Sequence, residues 1–488
     1  MTDTPRTSAI VKHERHADLP PPKSEVGVYG WVYHNLLYPW YNAVLTAIGV
    51  MISAWAIWSV LDFVVFGAVW TGEGREACQS ESGALIHACW VFVQARFDQF
   101  MYGFYPVAER WRIDYSFLLL ALASAPLFLR GDWIRRGVGL AVAAAATLLT
   151  LSYGVGPAIL TAFMMFAPYA LAYNRLGAIL PRSDDNALIG FVIRLGVILM
   201  GGLLGYLAGG LLGYLLGSAV GGTEEASPVG WIAAFLTFGL VSLNRASVKA
   251  WIAFLLIFVY PFAAFYLWVG TAFGLEYVET SLWGGLFLTL VVAGTGIAVS
   301  LPIGILSALG RRSHMPAVRA VSVAFIEFWR GVPLITVLFM SSVMLPLFLP
   351  EGVNFDKLLR ALIGVALFSS AYMAEVVRGG LQAIPKGQYE AAAAMGLGYW
   401  QMMRLVILPQ ALKMVIPGIV NSYISLFKDT TLVLIIGLFD LLGIVQAAAT
   451  DPKWLGMAVE GYVFTAFVFW LFCFGMSRYS MHICLLYT

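Results

Sequence analysis

The stretch from Gln388 to Pro409 reads QYEAAAAMGLGYWQMMRLVILP and separates two apolar segments of the chain. Its polar side chains are costly to place in hydrocarbon, so we expect the loop to lie in water at a membrane face. The first half is rich in Ala, carries one carboxylate at Glu390 and ends at Gly396 and Gly398, which predicts a short helix. A second helical piece is expected to follow until Pro409. A surface helix of small side chains suits docking into a groove of another protein.

Six residues of this loop match a known signature in type and spacing: Glu390, Ala391, Ala392, Gly396, Leu408 and Pro409. The loop resembles the cytoplasmic signature loop of the inner-membrane permease subunits of ATP-binding-cassette (ABC) importers, with Val406 in place of the usual Ile. The resemblance implies that a separate ATPase subunit docks on these residues. The alternative is an ordinary cytoplasmic loop that happens to be rich in Ala.

The composition excludes a soluble globular protein, because 60% of the residues are hydrophobic, 11% are charged and the mean hydropathy is +0.82. The net charge of +2 is too small to indicate a nucleic-acid partner. No Gly-Lys dipeptide occurs, so the phosphate-binding motif of an ATPase is missing and any ATP must be bound by a partner subunit. The six His form no ligand-spaced cluster, and we expect neither a metal site nor a cofactor in this chain.

The N-terminal part divides into a tail at 1–40 and a transmembrane extension at 41–272. The tail is polar, Pro-rich and mildly basic, so it does not resemble a cleaved signal peptide and is expected in the cytoplasm by the positive-inside rule. The extension contains a loop at 71–114 that we expect to be periplasmic. In this loop Cys78 and Cys89 are spaced for a disulfide, although two free thiols fit as well.

Two further patterns in the extension predict contacts with other groups. Residues 88–105 interleave aromatic and polar side chains, which predicts either a helix anchored at the membrane interface or an interaction surface. The predicted span at about 188–216 contains a Gly repeat, with a Gly at every fourth position from Gly201 to Gly217. Such spacing gives a flat ridge against which another helix packs closely.

The stretch at 279–480 resembles the transmembrane domain of polar amino-acid ABC permeases. The resemblance rests on phrases that occur in order: LTLVVAGTGIAVSLPIGILSALGRRS, FWRGVPL, AYMAEVVRGGLQAIPKGQYEAA and NSYISLFKDTTLVLIIG. The N-terminal tail and first loop further resemble the larger of two paired permeases for general L-amino acids. The sequence therefore predicts an all-α membrane protein, a polytopic helical bundle of about twelve transmembrane helices with a C-terminal five-helix core of the type I ABC importer permeases. Such a protein lies in the bacterial inner membrane, with both termini in the cytoplasm.

The last residues, 481–488, do not resemble the short basic tail that such permeases carry. The final CLLYT is also what a common sequencing-adapter stretch encodes. We therefore expect the native C-terminus to differ from these residues.

Charged residues inside apolar segments are candidates for the substrate pathway, because such charges are costly unless they have a function or a partner. Arg330 lies about twelve residues, or roughly 18 Å, into the stretch that starts near Val318, which suggests the middle of the membrane. Gly331 and Pro333 follow it and predict an interrupted helix that presents the charge to a solute. Arg330 would then bind a substrate carboxylate, pair with Glu327, or do both.

The segment at 411–447 is too long for one crossing, at about 55 Å if it were a single helix, and therefore requires a break. We place the break at the charged cluster Lys428, Asp429 and Thr430. Lys428 and Asp429 would contact the charges of a zwitterionic amino acid or neutralise each other. Glu375 and Arg378 lie one helical turn apart, where we expect a structural ion pair.

These observations predict a translocation subunit without catalytic residues, the permease of an ABC importer for polar or general L-amino acids. Its expected partners are a cytoplasmic ATPase dimer, a second permease subunit, a periplasmic amino-acid-binding protein, the amino acid and the lipid bilayer. The alternative is a stand-alone ion-coupled secondary transporter of small polar solutes, for which Asp429 alone is thin support. A membrane enzyme would need clustered His, Asp or Glu at a membrane face, and the sequence shows no such cluster.

Overall fold

The computed structural model describes residues 27–72, 74–78, 87–128, 132–150, 155–171, 203, 207, 232, 234–236, 248–270, 275–348, 350 and 355–487. Within these ranges the chain is predominantly helical, and the strand-type pairing is limited to three isolated bridges. The predicted Gly ridge from Gly201 to Gly217 lies outside the described residues. The chain divides into two compact units, Met1–Phe92 and Val93–Thr488.

The first unit is built on one long apolar helix. Helix α1 spans Gly27–Val32, and α2 spans Trp40–Leu61 and continues as a π-helical turn, Asp62–Phe66. The continuous helix Trp40–Phe66 has 27 residues, which is long enough to cross a hydrocarbon core about 30 Å thick. Cys78 and Cys89 form a disulfide, which is one of the two alternatives that the sequence left open.

The second unit begins with helices that precede the permease-like stretch. They are α3 (Trp90–Tyr102, which starts at the end of the first unit), α4 (Trp111–Phe128), α5 (Asp132–Thr150), α6 (Val155–Leu171), α7 (Val248–Phe254) and α8 (Tyr260–Val269). A π-helical turn joins α7 to α8, so that the two form one apolar span, Val248–Val269. The helix expected at 88–105 is present as α3.

The remaining helices form the core of the second unit. They are α9 (Gly285–Arg311), α10 (Pro316–Gly331), α11 (Leu334–Phe339), α12 (Lys357–Ala383), α13 (Lys386–Ala394), α14 (Tyr399–Met402), α15 (Leu408–Met414), α16 (Ile416–Asp429), α17 (Leu441–Ala449) and α18 (Ala458–Tyr487). The most extensive helix packing in the described part of the chain is between α9 and α12.

The number of membrane spans is lower in the described residues than the sequence suggested. Six helices are long and apolar enough to cross a membrane, and a bent pair, α10 with Leu334–Phe348, would make a seventh. The predicted all-α membrane fold is confirmed. The count of about twelve stays a prediction, because the span expected at about 188–216 falls mostly outside the described residues.

The core helices run between two ends of the bundle. The loop end holds α13 to α15, and both Arg311 of α9 and Ala383 of α12 lie there. The far end holds the first residues of α9 and the turn before α17, which are paired at Gly285 and Asp440.

Three segments meet at the far end, and we name the meeting point the far-end junction (residues 99–104, 282–285 and 439–441). The amide of Phe104 donates to the Leu282 carbonyl at 3.2 Å, and the amide of Gly285 donates to the Phe439 carbonyl at 2.9 Å. Gly103 has a φ of +68°, and a Cβ at this position would overlap the Cα of Gly284. The junction is therefore a close backbone crossing that requires glycine.

An aromatic cluster fixes part of the extension to the core. The ring of Phe287 in α9 lies 5.0 to 6.3 Å, between centroids, from Tyr105, Phe117, Trp268 and Trp283. These residues belong to one continuous cluster of apolar side chains. Within the second unit, the helices that precede the core and the core itself therefore share a single hydrophobic interior.

Candidate functional site

The predicted coupling loop consists of α13, a glycine turn, α14 and the start of α15. Gly396 follows α13 with a φ of +74°, a conformation that favours glycine at a helix end. Pro409 does not end the second helical piece, as the sequence suggested, because it lies in the first turn of α15. α15 continues from α14 through a π-helical turn at Met403–Ile407, and this change of hydrogen-bond pattern directly precedes the proline, which has no N–H to donate.

The two faces of this loop differ in exposure. Glu390 and Ala391 are exposed, and Met395 is 81% exposed, whereas Ala392 is only 4% exposed. Beneath the loop, Ile407 and Ala411 are fully buried in a cluster that includes side chains of α12. The loop thus presents small side chains and one carboxylate outward while its inner face is fixed to a long helix of the bundle.

A second feature is a cavity of about 300 Å³ between α9, α12 and α16. Its polar lining includes Ser300, Ser369, Tyr372, Asn421, Ser425 and Asp429. Lys, Arg and His are absent from the described lining, so Asp429 is the charged group in it.

The hydroxyl groups of this cavity are oriented to accept hydrogen bonds. Ser300, Ser369 and Ser422 each donate to a carbonyl one turn earlier in their own helix, at 3.2, 2.7 and 3.0 Å. A hydroxyl that has donated its proton retains acceptor lone pairs. Together with the carboxylate of Asp429, these oxygens suit a positively charged donor such as an ammonium group.

Charged residues of α9, α10 and α12 form a third feature near the loop end. We name it the charge cluster, and its members are Arg311, Glu327, Arg330, Glu375 and Arg378. Glu375 lies 2.7 Å from Arg378, 2.9 Å from Arg311 and 3.8 Å from Arg330. Arg311 also contacts Glu327 at 2.9 Å. Three guanidinium groups and two carboxylates thus leave one excess positive charge.

Arg330 does not pair with Glu327, one of the alternatives from the sequence. It pairs with Glu375, and its guanidinium carbon lies 5.7 Å from the ring centroid of Tyr372. α10 and the helical segment after it meet at an angle of 102°, so they cannot both run along the membrane normal. The number of residues after Val318 is therefore no measure of depth in the membrane. Arg330 lies at the level of Glu375, which is about 12 Å along the helix from Ala383 at the loop end.

The other predicted pathway residues are separated by the end of α16. The α-helix stops at Asp429 and continues as a 3₁₀ helix, Thr430–Ile436, so the geometry changes within the predicted cluster. Asp429 lines the cavity, Lys428 is exposed, and Thr430 is buried with its hydroxyl donating to the Phe427 carbonyl at 2.8 Å. The structure therefore brings Asp429 into the cavity without Lys428 or Thr430.

Sequence reasoning missed most of the polar lining of the cavity. A signal was present, because Asn421, Ser425 and Asp429 are spaced four apart and lie on one face of a helix. The same spacing places Ser369 and Met373 together on α12. Uncharged polar residues at helical spacing are a weaker signal for a site than charged residues in an apolar segment.

Comparison with known proteins finds a match over residues 300–480 to the family described as binding-protein-dependent transport system inner membrane component. The inner membrane amino-acid ABC transporter permease protein YhdY of Escherichia coli is 44% identical, over 93% of this chain and 91% of that protein. The glutamate/glutamine/aspartate/asparagine transport system permease protein BztC of Rhodobacter capsulatus is 38% identical, over 99% of this chain and 98% of that protein.

A chain in the crystal structure of an amino acid ABC transporter with histidines is 28% identical, over 41% of this chain and 91% of that one, with a TM-score of 0.37. The two long relatives are permeases of ABC transporters, which does not favour a stand-alone ion-coupled transporter. Their identity extends over nearly the whole chain, including the N-terminal extension. The chain therefore belongs to the family of inner-membrane permease components of binding-protein-dependent ABC transport systems.

Proposed function

We propose that this permease subunit imports L-amino acids across the bacterial inner membrane, with ATP bound and hydrolysed by a separate subunit. The observation that carries the proposal is the exposure of Glu390 and Ala391 on a loop whose inner face is buried against α12. A small-residue surface accepts another protein closely, and its fixed inner face passes a displacement on to the bundle.

In the proposed assembly the loop end and both termini face the cytoplasm. An ATPase dimer contacts the loop through the exposed signature residues Glu390, Ala391, Gly396 and Pro409, while Ala392 is buried beneath them and Leu408 is half-buried. A second permease subunit completes the pathway, and a periplasmic binding protein delivers the substrate at the far end.

The proposed substrate class rests on the cavity together with the names of the relatives. Asp429 and the serine oxygens would accept hydrogen bonds from the α-ammonium group of an amino acid. Arg330, above the ring of Tyr372 and in a cluster with excess positive charge, would attract the α-carboxylate as the substrate leaves the cavity. Lys428 is exposed and lies outside the cavity lining, so we assign it no role in binding.

The docking role is tested with Glu390→Lys and Gly396→Asp. Both variants are expected to insert normally and to lose ATPase association and uptake, because a reversed charge or added bulk does not fit a groove that receives small side chains. Co-purification of the ATPase and uptake of radiolabelled L-amino acids into proteoliposomes measure the two effects. Normal association and uptake in both variants would show that the loop is not the dock.

The substrate contacts are tested with Asp429→Asn and Arg330→Ala in the complete complex. We expect uptake to fall about 10- to 100-fold in Asp429→Asn, the loss typical of a charge-assisted hydrogen bond, while the ATPase stays bound. Arg330→Lys should recover part of the loss in Arg330→Ala, since an ammonium group keeps the charge without the bidentate fork. Lys428→Gln is the matched control, and an equal loss in that variant would argue against a specific role of Asp429.

A further inference from the structure

Arg311, the last residue of α9, and Arg312, which follows it, reach different parts of the loop end. Arg311 enters the charge cluster, whereas Arg312 turns toward the coupling loop. Arg312 follows the last residue of α9, where the exposed carbonyls of the helix favour a positive charge. Two adjacent arginines therefore connect the same helix end to separate groups of residues.

Arg312 joins three elements through one guanidinium nitrogen. Its Nη1 donates to the Leu381 carbonyl at 2.9 Å and to the Tyr389 hydroxyl at 3.0 Å. The Tyr389 hydroxyl donates to the same Leu381 carbonyl at 3.1 Å, which closes a triangle. The guanidinium carbon also lies 5.5 Å from the centroid of the Tyr389 ring.

The Leu381 carbonyl needs these donors because it lies in the last turn of α12. The last four carbonyls of a helix have no amide partner within the helix. Pro385, which lies between α12 and α13, has no N–H to offer. Arg312 and Tyr389 therefore supply the end of α12 from two other helices, α9 and α13.

Tyr389 lies on the inner face of α13. It is three residues before the buried Ala392 and therefore shares its face, and it packs against the apolar cluster that contains Leu381. The docking residues Glu390 and Ala391 are exposed. A displacement of α13 by a docked protein would reach α9 and α12 directly through the triangle, and both of these helices line the cavity.

We propose that Arg312 and Tyr389 are positioning residues that link the coupling helix α13 to α9 and α12, so that ATPase movement becomes movement of the cavity walls. This inference rests on the proposed docking of an ATPase on the loop, and it adds the route from that dock to the pathway. Without the link, the ATPase stays bound and hydrolyses ATP, but a smaller part of its movement reaches the transmembrane helices. The ratio of amino acid transported to ATP hydrolysed is the quantity that the link controls.

The decisive variant is Tyr389→Phe, which removes the hydroxyl and keeps the ring in the apolar cluster. Arg312→Lys keeps the charge at the helix end and loses the planar guanidinium that lies over the Tyr389 ring. Arg319→Gln is the control, because it removes an exposed arginine of α10 that has no part in the triangle. Each variant is purified as the complete complex and reconstituted with its binding protein in proteoliposomes.

Three measurements are compared: ATPase co-purification, ATP hydrolysis, and uptake of a mixture of radiolabelled L-amino acids. We expect Tyr389→Phe and Arg312→Lys to keep the ATPase bound and to lower uptake per ATP at least about fivefold, the usual lower range of coupling between sites. The control should keep the wild-type ratio. A ratio within about twofold of wild type in Tyr389→Phe, or loss of the ATPase from that variant, overturns the inference.

Failure of the inference and failure of the proposed function give different results. If Glu390→Lys keeps the ATPase and normal uptake, the docking site is wrong whatever the triangle does. If Glu390→Lys loses the ATPase while Tyr389→Phe transports with the normal ratio, the dock is correct and the link is wrong.

Discussion

The two ends of the core are held by different kinds of contact. At the far-end junction, Gly103 and Gly284 bring two backbone segments together, and Gly285 is hydrogen bonded to the Phe439 carbonyl at 2.9 Å. At the loop end, an apolar cluster fixes the loop to α12, and α9, α10 and α12 are also joined by ion pairs between long side chains that are 16% to 56% exposed. Charged contacts between these three helices therefore distinguish the loop end from the far end.

This difference indicates which end is able to move. Backbone segments in van der Waals contact separate only if several hydrogen bonds and a packed surface are lost together. Partly exposed ion pairs exchange partners at a cost of about 1 kcal/mol or less. We therefore expect the far-end junction to move as one rigid piece and the charge cluster to rearrange during transport.

The largest expected effect is that of Gly103→Ala at the far-end junction. The new Cβ would overlap the Cα of Gly284, so the two segments must separate, and the left-handed φ adds strain. We expect the unfolding free energy to fall by more than about 4 kcal/mol, the range that marks a specific structural failure. Folded yield and thermal unfolding of the detergent-solubilised protein measure this loss.

Gly396→Ala is the matched control for backbone strain. Gly396 has a similar φ of +74°, but nothing lies within 4 Å of the position of its missing Cβ. Backbone strain alone in Gly396→Ala should lower the unfolding free energy by about 1 kcal/mol. Equal losses in the two variants would show that contact between the backbones at the junction contributes little.

A smaller, pH-dependent effect is expected for Asp440→Asn in the same junction. Burial raises the pKa of the Asp440 carboxyl to about 6, although the amides of Leu442 and Gly443 donate to it and oppose the shift. The folded state thus binds the proton of Asp440 more tightly than the unfolded state does. Its contribution to stability is full below the ordinary pKa of 3.8 and is lost as the pH rises through about 6.

Above that pH the ionised carboxyl lowers stability by up to about 3 kcal/mol. Asparagine caps a helix as well as aspartate does and carries no charge, so the variant should be more stable than wild type at pH 7.5 and equally stable at pH 4. Thermal unfolding at both pH values gives the comparison. A difference between the two proteins that does not change with pH would exclude titration of Asp440 as its cause.

The sequence predicted the loop end better than the far end, for a physical reason. The signature from Glu390 to Pro409 is contiguous, and Glu375 with Arg378 is one turn of a helix, so local spacing was sufficient. The far-end junction joins Gly103, Gly284 and Asp440, which are far apart in the chain, and no local pattern brings them together. The role of a residue whose partners are distant in the sequence becomes clear only when the fold is known.

The same limit explains the outcome for the pathway residues. Asp429 was identified because its charge is unusual in an apolar segment, and the structure places it in the cavity. The serine oxygens beside it come from α9, α12 and α16, and serine is common in membrane helices, so their convergence could not be read from spacing alone. Arg330 contacts Glu375 of α12 and not Glu327 of its own helix, and spacing within α10 could not indicate a partner on another helix.

The smallest expected change in stability, with a large change in transport, is that of Glu375→Gln in the charge cluster. Arg311 and Arg378 donate to different oxygens of Glu375, and the single amide oxygen of glutamine keeps one of these contacts, so the unfolding free energy should fall by only about 1 kcal/mol. The loss of the central negative charge nevertheless leaves three guanidinium groups with one carboxylate among α9, α10 and α12. Repulsion between them should hold these helices apart at the loop end and lower uptake at least about fivefold.

The double variant Glu375→Gln with Arg378→Gln tests whether charge balance is the cause. It restores the net charge of the cluster, since one negative and one positive group are removed together, and uptake should recover in part. If Glu375→Gln instead unfolds with a loss of about 3 kcal/mol or more, as a fully buried pair would, the loop end is as structural as the far-end junction. The expected difference in mobility between the two ends would then be wrong, because both would be held by contacts that cannot open without unfolding.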